Sequence, residues 1–247
     1  DFIFFFGGYL PPEKLKTLRF NQRYNHFHGS NNLGRKDLMW KAVSRMYRHF
    51  PEDYNICPLS FLLPEDWVSF TEYRDIHPDS MWILKPNSAA CGKGIKIIDR
   101  SSHLVNKAGY IISEYVKRPH LINQLKYDLR LYVVVTSYNP LKIYLHKSGL
   151  VRFATEKYKI TKNSAGKQHM HLTNYSINKN AKNFVSNFDA DHDGEGSKWS
   201  LNALKEEFDY QGLDYEELMD QIKDVIIKTL ISVESTIVET GDKSLKY

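Results

Sequence analysis

The middle of the chain has the periodicity of short β-strands, and this feature constrains the fold most. Six runs rich in β-branched and aromatic residues lie between residues 81 and 155, separated by Gly, Asn-Pro or Ser-Gly turns. In order they are MWILKP, GIKIID, YIISEYV, DLRLYVVVTSY, LKIYLHK and LVRFAT. Turns of this kind favour antiparallel pairing, and YNPLKIYLHKSGLVRF predicts two hairpin connections in succession.

Helical periodicity flanks this sheet on both sides. KDLMWKAVSRMYRHF (residues 36–50) predicts a helix, and LLPEDWVSFTEYRD predicts a second with Pro64 near its first turn. After a polar loop at 159–197, KWSLNALKEEF and DYEELMDQIKDVIIKTLISVEST predict two more, the last with a capping box of Asp214 and Glu217. This order predicts the α+β class. The apolar stripes are Leu38, Met39, Ala42, Val43, Met46 and Phe50 in the first helix, and Leu218, Ile222, Val225, Ile226 and Leu230 in the last.

Composition excludes several classes of protein. The 42% hydrophobic content of the 247 residues allows a substantial core. The two cysteines, Cys57 and Cys91, have no metal-type spacing, so we expect a reducing compartment and no disulfide framework. The 34 Lys and Arg against 29 Asp and Glu give a charge of +5, which is compatible with an acidic partner. No stretch reads as a signal peptide or membrane span.

The segment WILKPNSAACGKGIKII (residues 82–98) contains a loop of small residues between two strands. Residues 87–95, called the glycine loop here, follow Lys85 and contain Gly92 and Gly94. The pattern is neither a Walker A loop nor a dinucleotide-binding fingerprint. Two interpretations remain open: a hairpin turn, or a loop whose backbone N–H groups approach a phosphate.

The strand KYDLRLYVVV carries charges on one face only. Side chains alternate along a strand, so Lys126, Asp128 and Arg130 share one face. The opposite face is then apolar, with Leu129, Leu131, Val133 and Val135. The charged row predicts either a solvated surface or a site for phosphates and a ribose hydroxyl. Arg152 lies in the apolar run GLVRFA, where a charged group needs a partner.

Two further motifs have weaker metal-like spacing. His169 and His171 in HMHLTNYSINK have no third ligand nearby in sequence, so a metal pair is not expected. DADHDGEGSKWS begins like a calcium loop with Asp189, Asp191 and Asp193, but Ser200 replaces the twelfth-position glutamate. We interpret it as a flexible acidic loop.

Several segments of the chain together carry a family resemblance. They are NHFHGS…GRKDLMWKAVSRM, WILKP…GKGI, KYDLRLYVVVTSYNPLKIYL, GLVRFAT and HLTNYSINK…KWSLNAL. In one order from about residue 20 to 235, they resemble the tubulin–tyrosine-ligase-like family of protein amino-acid ligases, and its glutamylating members most. The resemblance implies the ATP-grasp fold, with antiparallel sheets flanked by helices, and ATP and Mg²⁺ as cofactors.

The resemblance also implies residue roles. Lys85 would contact phosphate, and Arg130 would lie toward the transferred phosphate as the catalytic residue. ATP would further be bound by Cys91, Gly92, Ser113, Glu114, Tyr115, Val116, Lys126, Tyr127, Asp128, Thr173 and Asn174. In that set, residues 113–116 would read adenine through their backbone. The incoming glutamate would be held by Arg152, Tyr175, Ser176 and Lys198.

Two departures from the family pattern bear on activity. Cys91 stands where glutamylases usually have arginine, which removes one anion-binding donor. The segment of type KPWLLEVNxSP, which carries the family's metal ligands, is absent. We therefore expect a fragment without metal ligands, inactive alone and lacking the C-terminal part of the fold. The expected divisions are an N-terminal helical region (1–80), a central lobe (81–125) and a truncated C-terminal lobe (126–247).

The function implied by the resemblance is ATP-dependent ligation of glutamate to glutamate side chains of acidic protein tails through an acyl phosphate, with tubulin as the leading candidate acceptor. The alternatives are an inactive module that binds acidic tails, or a sibling ligase for glycine or tyrosine. The implied partners are tubulin C-terminal tails or other acidic proteins and free L-glutamate, without nucleic acid or membrane. We expect a monomer in the cytoplasm at the cytoskeleton, on microtubules and at cilia or basal bodies.

Overall fold

The computed structural model describes residues 2–161, 164–186 and 193–240. The helices are α1 Pro12–Leu15, α2 Asn31–Gly34, α3 Lys36–His49, α4 Trp67–Ile76, α5 Gln168–His171, α6 Tyr175–Asn178, α7 Leu201–Gln211 and α8 Tyr215–Thr240. The strands are β1 Phe4–Phe5, β2 Arg23–Tyr24, β3 Ser60–Leu63, β4 Trp82–Pro86, β5 Lys96–Ile98, β6 Tyr110–Glu114, β7 Leu121–Ile122, β8 Leu125–Arg130, β9 Val133–Tyr138, β10 Leu141–Leu145, β11 Leu150–Phe153 and β12 Lys198–Ser200.

The chain divides into two compact units. Unit I comprises residues 1–56, 133–145 and 222–247, and unit II comprises residues 57–132 and 146–221. The division into three parts at residues 80 and 125 remains a prediction.

The first sheet of unit II has the order β3-β6-β4-β5 and is antiparallel throughout. One face is apolar and packs against α4, because Phe70 of that helix contacts the ring of Trp82 edge-on at 5.2 Å between centroids. Lys85 stands opposite Ile111, and Ile83 stands opposite Ser113. Residues directly opposite share a face, so Lys85 and Ser113 lie on the face away from this core.

The second sheet of unit II has the order β12-β11-β8-β7 and is also antiparallel. Its core contains Val151, Phe153 and Trp199 together with Leu204 and Phe208 of α7, and all five are buried. Helix α7 begins after Ser200, whose side-chain oxygen accepts hydrogen bonds from the N–H groups two and three residues on. This cap fixes where strand β12 ends and the helix starts.

Unit I has its core between a hairpin and two helices. Strands β9 and β10 pair antiparallel, and Tyr138 at the end of β9 is buried with Leu230, Val233 and Ile237 of α8. Ala42 of α3 packs against the same cluster. Among the described residues, no helix combines the length and apolar character needed to cross a membrane.

The structure corrects several local predictions. The Leu62-Leu63 pair begins no helix, because it belongs to β3 and pairs with β6, and α4 starts only at Trp67. The second predicted hairpin is wrong, since β11 pairs with β8 and β12 rather than with β10. Three residues predicted in apolar stripes are exposed: Phe50, Val133 and Val225.

The last helix agrees with its predicted start. The carboxylate of Asp214 accepts a hydrogen bond from the Glu217 backbone N–H at 3.0 Å, as the capping box requires of its first residue. The helix predicted at KWSLNALKEEF begins three residues later than expected and ends at Gln211. Its first three residues form β12, so Lys198 lies on a strand.

Candidate active site

Three strands of the second sheet place charged residues in one row. Arg152 on β11 stands opposite both Asp128 on β8 and Lys198 on β12. Directly opposite residues share a face, and Lys126 and Arg130 lie two positions from Asp128 on the same strand. The one-sided charged face predicted for this strand is therefore confirmed. Its other side carries Leu129, which packs against the core.

Arg152 has a protein partner on this face. Its Nε donates to Asp128 Oδ1 at 2.8 Å, and its Nη2 donates to Oδ2 at 2.5 Å. This fork-to-carboxylate pair raises the pKa of Arg152, mainly through the hydrogen bonds to Asp128. Arg152 was expected to need a charged partner, and Asp128 of the same chain is that partner. Lys198, directly opposite Arg152 on the next strand, is exposed.

Lys126 is the most buried cation of the row. Its Nζ donates to the Tyr115 hydroxyl at 3.1 Å and to the His171 carbonyl at 3.0 Å, and it lies 4.7 Å from the Tyr115 ring centroid. Burial lowers its pKa from 10.5 to about 8. The carboxylate of Asp128 opposes this shift, and the charge of Lys85 adds to it.

Lys85 and Lys126 therefore bring two positive charges together from two different sheets of unit II. Lys85 lies on the face of β4 turned away from the α4 core, and its charge reaches both Lys126 and the Cys57 thiol. Two neighbouring ammonium groups repel each other, and a bound anion relieves that repulsion. This part of the site is suited to a polyanion such as a nucleotide phosphate chain.

The glycine loop contacts the segment at residues 174–177. Ser176 Oγ donates to the Cys91 carbonyl at 2.7 Å. Gly92 has a φ of 75°, and a Cβ added there would lie 2.6 Å from Ile177 Cδ1 and 2.9 Å from Asn174 Oδ1. Only glycine fits both the backbone conformation and the space. The loop also joins the antiparallel pair β4 and β5, so it is a hairpin connection as well.

Some residues assigned by the resemblance lie elsewhere in unit II. The side chain of Tyr127 lies on the other face of the sheet from Asp128 and packs against the core. Its hydroxyl hydrogen-bonds His120 Nδ1 at 3.0 Å. Tyr175 is exposed and contacts Phe184 edge-on. Among the described contacts, neither Tyr175 nor Ser176 meets Arg152.

The predicted adenine-reading segment continues strand β6. The backbone N–H groups of Glu114 and Tyr115 donate to the carbonyls of Leu59 and Met81, both at 2.8 Å. The Ser113 hydroxyl accepts from Ser60 Oγ at 2.8 Å. An adenine base bound here would therefore contact backbone groups of the segment other than these two N–H groups. Val116, at the end of the segment, is exposed.

Sequence reasoning missed a buried asparagine that holds the site together. The Asn178 side chain donates to the carbonyls of Leu172 and Asn174 at 2.7 and 3.1 Å. It also accepts from the Thr155 hydroxyl at 2.8 Å and the Thr155 N–H at 3.2 Å. These bonds tie buried Thr173 and its neighbour Asn174 to the end of β11. The motif NYSINK contains the residue, but spacing alone gave it no role.

The structure describes His169 and His171 of the first metal-like motif and part of the second. His171 is buried, and both of its ring nitrogens have protein partners, Tyr115 and Ser164. Of the acidic loop, Asp189 and Asp191 lie outside the described residues, whereas Asp193 accepts from the Ser200 N–H at 2.8 Å. Within the described ranges, no group of three or more His, Cys, Asp or Glu side chains is placed to hold a metal ion.

Comparison with known proteins identifies the family. The sequence profile of the Tubulin-tyrosine ligase family matches residues 13–245. This chain belongs to the tubulin-tyrosine ligase family. The resemblance noted from the sequence is thereby confirmed, as is the α+β, ATP-grasp-like fold class.

Several members of the tubulin-tyrosine ligase family are similar over nearly the whole chain. Tubulin monoglutamylase TTLL4 of Homo sapiens is 39% identical over 235 residues, or 95% of this chain. Tubulin polyglutamylase TTLL5 of Mus musculus is 40% identical over 94% of it, and tubulin polyglutamylase ttll-4 of Caenorhabditis elegans is 34% identical over 99%. The matches cover 20%, 17% and 40% of the lengths of these relatives.

Proposed function

We propose that the protein uses ATP to join free L-glutamate to glutamate side chains in acidic protein tails, with tubulin as the leading acceptor. The observation that carries this proposal is the pairing of Lys85 and Lys126 from two sheets beside a glycine loop. The names of the relatives, all tubulin glutamylases, favour glutamate over glycine or tyrosine as the added amino acid. The protein would act on microtubules.

The nucleotide is proposed to lie along the Lys85 and Lys126 ammonium groups. The backbone of the glycine loop would cover its phosphates, with Cys91 and Gly92 held against Ser176 and Asn174. Asp128 would hold the ribose, and Thr173 would line the same pocket. Segment 113–116 would read adenine. The residues fit a nucleotide because the site combines two cations with a loop whose Gly92 has a positive φ and lies close to Ile177 and Asn174.

The incoming glutamate is proposed to bind at the row of Arg152 and Lys198. Two cations suit a ligand with two carboxylates, which glycine and tyrosine lack. Arg152 is held in place by Asp128, so its guanidinium is ordered before a substrate arrives. Tyr175 and Ser176 would complete this pocket only if residues 174–178 move toward Arg152.

ATP, when bound, would supply the phosphoryl group that activates the acceptor γ-carboxylate as an acyl phosphate, with ADP as the leaving group. The amine of the bound glutamate then forms the C–N bond, loses a proton and displaces inorganic phosphate. Lys85, Lys126 and Arg130 would position the phosphates and offset their negative charge in both steps.

Magnesium is implied by the family resemblance, but the described residues do not form a site for it. They contain no group of three or more metal-binding side chains, and hard cations such as Mg²⁺ require oxygen ligands in a regular geometry. The metal ligands thus remain a prediction for a segment of the type KPWLLEVNxSP.

The test is incorporation of amino acids into microtubules by the intact protein. Labelled glutamate, glycine and tyrosine would be supplied separately with ATP, and tail peptides would be read by mass spectrometry. We expect glutamate on acceptor glutamates and at most background from the other two. Lys85→Met should abolish incorporation, whereas Lys107→Met should not, because Lys107 contacts Tyr110 on the opposite face of the sheet.

Two results would contradict this function. Incorporation of glycine or tyrosine instead of glutamate would assign a sibling ligase. Microtubule binding without any incorporation, in a protein that carries the metal-binding segment, would assign a binding module.

A further inference from the structure

A chain of hydrogen bonds runs inward from the Lys126 ammonium. Lys126 Nζ contacts the Tyr115 hydroxyl at 3.1 Å, and that hydroxyl contacts His171 Nδ1 at 2.8 Å. His171 Nε2 contacts the Ser164 carbonyl at 2.9 Å. Tyr115, His171 and Ser164 are all buried, so these contacts are shielded from water. Segment 113–116 is proposed to read adenine through its backbone, and the side chains of Tyr115 and His171 have no role in the reaction proposed above.

The chemistry of the groups fixes the two outer bonds of the chain. An ammonium can only donate, so the Tyr115 oxygen accepts from Lys126. The hydrogen of Tyr115 has two acceptors within reach, His171 Nδ1 and the Tyr158 hydroxyl. A carbonyl can only accept, so His171 Nε2 carries the hydrogen that Ser164 receives. His171 accepts from Tyr115 only as the neutral imidazole with its proton on Nε2, and this tautomer satisfies the whole chain.

The groups around His171 also favour its neutral form. Burial lowers its pKa, and the charge of Lys126 adds to this effect, while the bond to Ser164 opposes it. The other titratable groups near this chain are Tyr158, whose ring meets His171 edge-on and whose hydroxyl interacts with that of Tyr115, and Lys85 and Asp128 beside Lys126.

We propose that His171, acting through the Tyr115 hydroxyl, is a positioning residue that aims the Lys126 ammonium at the nucleotide phosphate. The two contacts of Lys126 with Tyr115 and the His171 carbonyl account for two of its three N–H bonds. They leave the third to donate to an anion, so the lysine approaches the ligand in one orientation. This inference rests on the proposed nucleotide site.

Protonation of His171 would break the chain. An imidazolium donates from both nitrogens, so Nδ1 could no longer accept from Tyr115. The tyrosine oxygen would then have to accept from both His171 and Lys126, and the charge of the imidazolium would repel the Lys126 ammonium, so its orientation would be weakened. The arrangement is complete at pH values above the lowered pKa of His171 and below the pKa of Lys126, which is about 8.

The test compares three variants of the intact protein by ADP affinity and by NMR titration of the Lys126 ε-carbon without nucleotide. Tyr115→Phe removes only the hydroxyl and should weaken ADP binding about tenfold and lower the pKa of Lys126. His171→Leu should weaken ADP binding several-fold. His171→Asn places an oxygen where Nδ1 stood, so it should restore affinity to within about twofold of the native protein.

The pH dependence separates positioning from a merely structural role. Because the phosphates of ADP titrate too, the informative quantity is the ratio of the native and His171→Asn affinities. At pH values below the lowered pKa of His171, the native protein should lose affinity relative to His171→Asn, which has no proton to gain. A constant ratio, or a His171→Asn variant as weak as His171→Leu, would overturn the inference.

Failure of the proposed function gives a different result. If native protein does not bind ADP, the nucleotide site is wrong, and the inference falls with it. If ADP binds natively but Tyr115→Phe leaves both ADP affinity and the pKa of Lys126 unchanged, the function stands and the positioning role is rejected.

Discussion

Arg152 and Asp128 stand directly opposite each other on adjacent strands and are joined by two hydrogen bonds, of 2.8 and 2.5 Å. The pair links a residue proposed to bind glutamate with one proposed to bind the nucleotide. Their side chains are 26% and 38% exposed, so the pair should stabilise the fold by only about 1 kcal/mol. Its main effect is then to order the two side chains.

Arg152→Ala should raise the KM for glutamate by about tenfold or more, because it removes a charge-assisted contact to one substrate. ADP affinity should change by less than about threefold, and the melting temperature by a few degrees, as expected for a loss of about 1 kcal/mol. Steady-state kinetics, ADP titration and calorimetry on one preparation give all three values. Arg152→Lys, which keeps the charge but not the fork, should fall between native and Arg152→Ala. Unchanged glutamate kinetics would mean that Arg152 pairs with Asp128 but does not bind glutamate.

Gly92→Ala should weaken ADP binding by about tenfold or more, because its Cβ would overlap Ile177 and Asn174 and displace the loop. Gly212→Ala is the matched control. Its φ of 71° is nearly the same as the 75° of Gly92, but open space surrounds it. Both variants should lose about 1 kcal/mol of stability from backbone strain, and only Gly92→Ala should lose affinity. Equal ADP affinity in the two would argue against a nucleotide under this loop.

Nucleotide affinity should fall as the pH rises through about 8, because Lys126 loses its proton there rather than near 10.5. Lys85→Met removes a neighbouring positive charge that lowers this pKa, so NMR should show the pKa of Lys126 rising. Lys107→Met should leave it unchanged. If the pKa of Lys126 is the same in the Lys85→Met variant as in the native protein, the two ammonium groups do not share a site.

Asn178→Ala should destabilise unit II by about 2–4 kcal/mol. The substitution removes the side-chain hydrogen bonds of Asn178, so the buried polar groups of Thr155 and the carbonyls of Leu172 and Asn174 lose a partner. Chemical denaturation would measure the loss. Asn180→Ala, at an exposed position two residues on, should cost less than about 0.5 kcal/mol. Comparable losses in the two variants would mean that the buried bonds of Asn178 contribute little.

Local patterns in the sequence determined much of this protein. The alternation in KYDLRLYVVV was enough to place Lys126, Asp128 and Arg130 on one face, because side-chain direction in a strand follows from backbone geometry. The first long helix was predicted at residues 36–50 and is found at Lys36–His49. The motifs along the chain also led to the family, which the profile match confirmed.

Tertiary structure decided which elements pair and which charges meet. The run SFLL of β3 reads equally well as buried strand or helix start, and only its pairing with β6 settles it. Val133 was predicted in the core but is exposed, because the run DLRLYVVVTSY forms two strands that belong to different sheets. Several contacts in the site join residues that are far apart in sequence. They are the pair of Arg152 with Asp128, the proximity of Lys85 to Lys126, and the hydrogen bond of His171 to Tyr115. Such contacts depend on strand order and register, which periodicity along a single chain does not encode.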